Sequence, residues 1–186
     1  MKTGLIAASL FVVNLFTPAY ATSLKLSTEI DVLVVDGKEM SGPILKGADS
    51  LELDGGIHQV LFQVNKYVPT GTNQGQRLSS QPMIVSFDAK NLKTVTVSLP
   101  ELNNEYDNMQ FNTKMNFRLL DENGHVVNAQ RDTLKTPIDN RDIEQIMRDY
   151  NLSAQSASIA AFAAPESENA EEDIVYYQNA EGVINN

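Results

Sequence analysis

Ile57-His58-Gln59-Val60-Leu61-Phe62-Gln63-Val64-Asn65-Lys66-Tyr67-Val68 is the longest strand-like run in the chain. Strand side chains alternate between faces, so Val60, Phe62 and Val64 share one side. Gln59, Leu61, Gln63 and Asn65 share the other. Gly55-Gly56 supplies a turn just before the run, and upstream of it Leu51 and Leu53 alternate with Glu52 and Asp54. Farther back, Leu24 and Leu26 share a face, and residues 30–35 are apolar and rich in β-branched side chains. Asp36-Gly37 closes that run, and Asp-Gly between strand-like segments is a strong hairpin signal because both turn residues take positive φ.

Downstream, residues 83–87 and 94–99 are rich in valine and threonine, which suit a pleated surface. In 115–120, Met115, Phe117 and Leu119 fall on one face, and Asn123-Gly124 predicts a second hairpin into 126–134. The stretch 69–82 has no periodicity and predicts a long surface loop. Residues 101–112 are polar and acidic and predict a loop or a short helical turn. After Pro137 the period changes: Ile143, Ile146, Met147 and Tyr150 are spaced as one face of an amphipathic helix. Asp139 is its expected N-cap, with Asp142 and Glu144 near the positive end of the dipole, and the alanine- and serine-rich 153–164 would prolong it weakly. About eight short strands and one helix predict a mainly-β fold, an antiparallel β-sandwich with a C-terminal α-helix packed on it. Successive hairpins argue against a parallel sheet, which needs long crossovers.

The N-terminus reads as an export signal. One basic residue, Lys2, precedes an almost wholly apolar stretch from 4 to 16, and Thr17-Pro18 breaks it. Ala19-Tyr20-Ala21 then places small residues where a signal peptidase holds them, so cleavage is expected between Ala21 and Thr22. The apolar stretch falls short of the roughly 18 to 20 residues that cross a bilayer. The expected organisation is a signal peptide (1–21), an antiparallel β domain (22–136), a helical segment packed on it (137–164) and an acidic, disordered tail (165–186). Within that tail only Ile174-Val175-Tyr176-Tyr177 has the character of a docking segment.

Composition narrows the function. The 186 residues carry 24 acidic and 14 basic side chains, for a formal net charge of −10. Such a field repels nucleic acid and anionic lipid, which are bound by clustered lysine and arginine. There is no cysteine, hence no lipid anchor, no disulfide and no thiol chemistry. A periplasmic protein with no stable membrane insertion of the mature chain is expected.

No catalytic, cofactor-binding or metal-ligating constellation stands out. The two histidines, His58 and His125, each sit beside a turn glycine and read as polar turn residues. Asp121-Glu122-Asn123-Gly124 superficially resembles a calcium loop, but its glycine comes three residues after the aspartate, where an EF-hand needs five. Glu101, Glu105 and Asp107 read as a solvated acidic loop rather than a cation site. Asn151-Leu152-Ser153 is a formal glycosylation sequon. The open backbone of an edge strand and the 69–82 loop are the expected partner surfaces.

Leu24-Lys25-Leu26-Ser27-Thr28, Val32-Leu33-Val34-Val35-Asp36-Gly37-Lys38, Gly47-Ala48-Asp49-Ser50-Leu51-Glu52-Leu53-Asp54-Gly55-Gly56-Ile57-His58-Gln59-Val60 and Val85-Ser86-Phe87 together resemble a family of exported Gram-negative proteins of unknown function. That family includes the enterobacterial curli synthesis inhibitor. The likeness is strongest over 1–87 and recovers around Asp149-Tyr150-Asn151 and Ser153-Ala154. It implies a non-enzymatic periplasmic binding protein that restrains assembly of exported fibre subunits. A cell-envelope module for glycan or peptidoglycan, and a hydrolase using His58 or His125, are the alternatives. The resemblance brings no catalytic residue and no cofactor. Intact-mass analysis of the exported protein should give a chain beginning at Thr22, and a start at any other residue would overturn the assigned cleavage site.

Overall fold

The computed structural model describes residues 21–40, 50–69, 75–138 and 142–163. Its order is β1 (Thr22–Lys25), β2 (Ile30–Val35), β3 (Lys38–Glu39), β4 (Ser50–Leu53), β5 (Ile57–Pro69), β6 (Gly75–Ser79), β7 (Met83–Asp88), β8 (Thr94–Ser98), α1 (Glu105–Lys114), β9 (Arg118–Asp121), β10 (Ala129–Thr133) and α2 (Ile143–Leu152). A 3-10 turn, Ala160–Ala163, ends the described chain. Four strands form one sheet in the order β4-β1-β8-β9. A six-stranded sheet runs β10-β7-β5-β2-β3, with β6 also paired to β5. The fold is mainly β, two stacked sheets with a C-terminal helical layer, as the alternation predicts.

The core lies between the sheets. Val60, Phe62 and Val64 of β5 and Met83, Val85 and Phe87 of β7 pack with Leu24, Leu53, Val95, Val97 and Leu119 of the smaller sheet. Phe62 meets Phe117 edge-on at 5.1 Å between ring centroids, a preferred aromatic geometry. The opposite face of the larger sheet is buried too: Val34, Leu61 and Ile84 pack under Ile143, Ile146, Met147 and Tyr150 of α2. β5 is therefore covered on both sides, which explains its nearly unbroken burial from His58 to Val64.

The most deeply buried polar side chain of that stretch, Gln59, is only 1% exposed. Its Nε2 donates to Asn151 Oδ1 and to the Ala157 carbonyl, both at 2.7 Å, and its Oε1 accepts from Asn151 Nδ2 at 3.0 Å. Ile159 N–H adds a further bond to Asn151 Oδ1. These bonds hold α2 and the chain after it against the sheet, since buried amides are kept only where their partners are in place. The sequon at Asn151 is consequently closed: the residue is 3% exposed and its amide is used on both atoms.

Several expectations are corrected. The 69–82 stretch is not one loop: β5 runs through Pro69, and Gly75–Ser79 pairs back onto 65–69 as β6. Residues 70–74 lie outside the described residues. β6 and β7 follow the same edge of β5, with the register shifting by one residue at Ser80-Gln81-Pro82. Ser80 staples that bulge, its N–H donating to Val64 O and its hydroxyl accepting from Val64 N–H. The 101–112 stretch is not a loop or a single turn: from Glu105 it enters the ten-residue helix Glu105–Lys114, capped by Asn104 at Asp107 N–H. Phe111 anchors it in the core and Asn108 bonds the Ser79 carbonyl.

The expected second hairpin also fails. Asn123-Gly124 does turn, but only Leu120 bridges Val126 before the chain crosses to the other sheet, where β10 pairs with β7. Met115 is a left-handed helix cap instead of a strand residue. Asp142, not Asp139, caps α2; Asp139 lies outside the described residues, as do Ala19 and the acidic tail. The segment after Leu152 turns rather than continuing the helix. Finally, β1 and β8 run parallel in an otherwise antiparallel pair of sheets. Their connection is long enough because the whole of β2 to β7 lies between them. Gln59→Ala leaves the Asn151 amide buried without its partner, and chemical denaturation should show a loss of about 1–3 kcal/mol.

Candidate functional site

The two histidines are separated by the fold. His125 lies in the turn after β9, its side chain 79% exposed, with Nδ1 3.3 Å from Asp121 Oδ2. Burial would raise the Asp121 pKa, but the N–H groups of His125 and Asn123 bond its carboxylate and the net shift is downward. The Asp-Glu-Asn-Gly run is thus a turn that satisfies itself. Glu101 and Asp107 are spent on Asn103 at the start of α1, and Glu105 reaches Gln76. Among the described residues, no three acidic or histidine side chains gather in a way that holds a metal ion.

His58 opens β5 and is 7% exposed. Its Nε2 lies 2.7 Å from the Asp54 carbonyl and its Nδ1 2.7 Å from Asp36 Oδ2. A carbonyl oxygen only accepts, so Nε2 carries a proton, and a carboxylate facing Nδ1 calls for a second. With both nitrogens facing acceptors, the site favours the doubly protonated ring. The hydrogen bond to Asp36 raises its pKa, opposed by burial and aided by the Asp54 carbonyl. Asp36 sits in the hairpin turn at φ 51°, and its Oδ1 accepts from Gln59 N–H at 2.8 Å. Both ring nitrogens are therefore committed to tying the β2–β3 and β4–β5 turns together.

The other group of polar residues lies at β10. Tyr150 of α2 donates to Asp132 Oδ2 at 2.9 Å and accepts from Ala157 N–H. Burial, then the bond to Asp132, pushes the phenol well above its ordinary value. A groove of about 460 Å³ opens beside this pair, bordered by Leu134, Lys135, Asp142 and Asp149. A second, of about 450 Å³, adjoins the start of β10 beside Phe87, Lys90, Leu92 and Ala129. Ile57 and Val126 rim it, 57% and 59% exposed.

Between the two grooves runs the free edge of β10, which among the named strands pairs only with β7. Leu134 N–H donates to Pro82 O at 2.9 Å, continuing the register in which Asp132 faces Ile84 and Gln130 faces Ser86. Bonded pairs recur at every second residue of an antiparallel ladder, so Asp132 and Gln130 turn their backbone groups toward β7. Ala129, Arg131 and Thr133 turn theirs away. Asp132 Oδ1 takes the Thr133 N–H at 2.8 Å, which leaves the groups of Ala129 and Arg131 and the Thr133 carbonyl along the rim. The opposite sheet's rim is different. Val127 N–H bonds Leu119 O and Asp121 N–H bonds His125 O, so β9 is covered by the chain that follows it. Periodicity alone gives no hint of this, because which edge is left open depends on the crossover at 128.

These features define a class: a two-sheet, mainly-β domain with a helical third layer, in which β10 pairs with β7 alone among the described strands. The chain belongs to the DUF2057 family, described as an uncharacterized protein conserved in bacteria, which matches residues 23–182. That match shows membership of an uncharacterised bacterial family and extends well past residue 87. A UPF0319 protein of Yersinia pestis bv. Antiqua (strain Angola) is 45% identical over 166 residues, covering 88% of this chain and 72% of that one. A UPF0319 protein of Yersinia pseudotuberculosis serotype O:3 (strain YPIII) matches to the same extent. No solved structure matches the chain. No helix among the described residues is long and apolar enough to cross a membrane.

The titration of His58 sets a sign for pH dependence. Its folded pKa is raised, so its contribution is complete below the ordinary histidine value and is lost as pH climbs through the raised one. Melting temperature followed from about pH 5.5 to about pH 9 should fall across that window, and His58→Gln should flatten the fall.

Proposed function

We propose that this protein is a periplasmic binding module that holds an extended segment of another exported chain along β10. The observation that carries this reading is the row of outward backbone groups at Ala129 and Arg131, set between two grooves. Strand addition supplies affinity through main-chain bonds and selectivity through pockets for alternate side chains. The apolar shoulders at Ile57 and Val126 provide such a pocket. A binding rather than catalytic role is supported by His58, whose ring nitrogens are both committed, and by the turn-bound position of His125.

By resemblance, the segment held is that of an amyloid fibre subunit in transit, whose strands seek open edges of this kind. The leader at 1–21 supports an exported address. A chain that occupies a subunit's pairing strand blocks further addition there. The test is purified protein mixed with an exported amyloid subunit, with dye fluorescence followed over time. A longer lag is expected, and an unchanged lag and final yield would overturn the reading. Ala129→Pro removes an N–H that points away from β7, so it should leave the melting temperature within a few degrees while abolishing the delay. Gln130→Pro, which removes a ladder bond to β7 and leaves its acceptor unpaired, should destabilise the fold by about 1–3 kcal/mol.

A further inference from the structure

Arg131 holds a buried donor that the fold itself does not use. It stands opposite Val85, so its side chain enters the space between the two sheets alongside Ala129. Its guanidinium carbon lies 5.2 Å from the centroid of Phe117, and that ring is 1% exposed. Its Nε is buried and has no hydrogen-bond partner. No described carboxylate forms an ion pair with it, although the chain carries 24 acidic residues. The acidic neighbour Asp132 points to the opposite face, where Tyr150 holds it. A stack on an aromatic ring contributes only about 0.5–1 kcal/mol at a partly exposed site. A desolvated donor without an acceptor costs more than that. A buried, unpaired donor of this kind calls for a physical explanation.

Resting on the edge-strand reading above, we infer that Arg131 selects the segment: β10 accepts an extended chain that presents a carboxylate side chain, glutamate or aspartate, directly opposite Arg131. The geometry follows from the ladder. Arg131 turns its backbone groups outward, so a strand added there places one residue directly across from it and on the same face. Side chains so placed lie about 4.5–5.5 Å apart at Cβ, within reach of the forked guanidinium. Outward groups at Ala129 and the Thr133 carbonyl extend pairing to both sides, so the acceptor is an internal side chain and not a chain terminus. Residues two positions away on the incoming strand meet the apolar groove near Phe87 and Leu92 at one end. The preferred sequence is thus an acidic residue flanked at alternate positions by apolar ones. A second copy of this protein fits poorly, because pairing about Arg131 would oppose two guanidinium groups.

The test uses the full mature chain and three synthetic heptapeptides of alternating threonine and valine, with glutamate, glutamine or lysine at the centre. Backbone amide exchange at Ala129 and Arg131 reports edge pairing, and titration gives the affinity order. Glutamate should bind about tenfold tighter than glutamine, the worth of a charge-assisted bond, with lysine weaker again. Arg131→Gln should remove that preference while keeping the amide protection, and Arg131→Lys should restore part of it. Equal affinity for all three peptides, with protection present, overturns the role of Arg131 and leaves the edge reading standing. No protection with any peptide overturns both. Protection present without peptide and lost on removing residues 165–186 would make the chain's own acidic tail the occupant, and would overturn a partner. Concentration-dependent protection without peptide would do so in favour of self-association.

Discussion

The reciprocal amide pair between Gln59 and Asn151 is the constraint around which the three layers are arranged. A sheet covered on both faces has no water for a polar side chain in its central strand. Gln59 is therefore tolerable only if α2 brings Asn151, and the chain beyond it brings the Ala157 carbonyl, to the same point. The apolar face of α2 sets which side of the helix is buried, but apolar contact is forgiving about translation. The amide pair is not, so it fixes where along β5 the helix sits. Tyr150, one residue before Asn151, then falls opposite Asp132 and fastens α2 to β10 as well.

Two slips in register complete the middle sheet. β2 gains an extra residue between Val32 and Val34, so Ile30 and Val32 face the inter-sheet core while Val34 faces α2. The β6–β7 edge slips at Ser80, where the hydroxyl replaces a ladder partner for Val64. Each bulge lets one continuous strand serve two surfaces, at the cost of local pairing that a nearby polar group restores.

The legibility of the sequence follows the same division. The alternation of Val60, Phe62 and Val64 and the helical spacing of Ile143, Ile146, Met147 and Tyr150 were readable because each set lines one core. Asp36-Gly37 was readable because its backbone demands positive φ at both positions, and both have it. The β6 strand was not: Gly75-Gln76-Arg77-Leu78-Ser79 has one buried residue and owes its strand to β5 alone. α1 was likewise obscured, since Phe111 supplies its main apolar anchor and the rest of its docking is polar. The β10 edge was out of reach for a topological reason. A turn at Asn123-Gly124 predicts a partner strand, and nothing local says that the chain will change sheets after Val127.

His58 and Arg131 show why a charge inventory is a poor guide to a site. Both are cations on the larger sheet, but His58 gives its two protons to acceptors already supplied by Asp36 and Asp54. It is spent on the fold, and its perturbed titration reports stability rather than reactivity. Arg131 has an aromatic ring beneath it and a desolvated donor with nothing to bond. Natural folds seldom leave such a donor open without another use for it. The binding potential of this molecule is therefore concentrated at β10, where an outward backbone row and the unpaired Nε of Arg131 belong to the same strand.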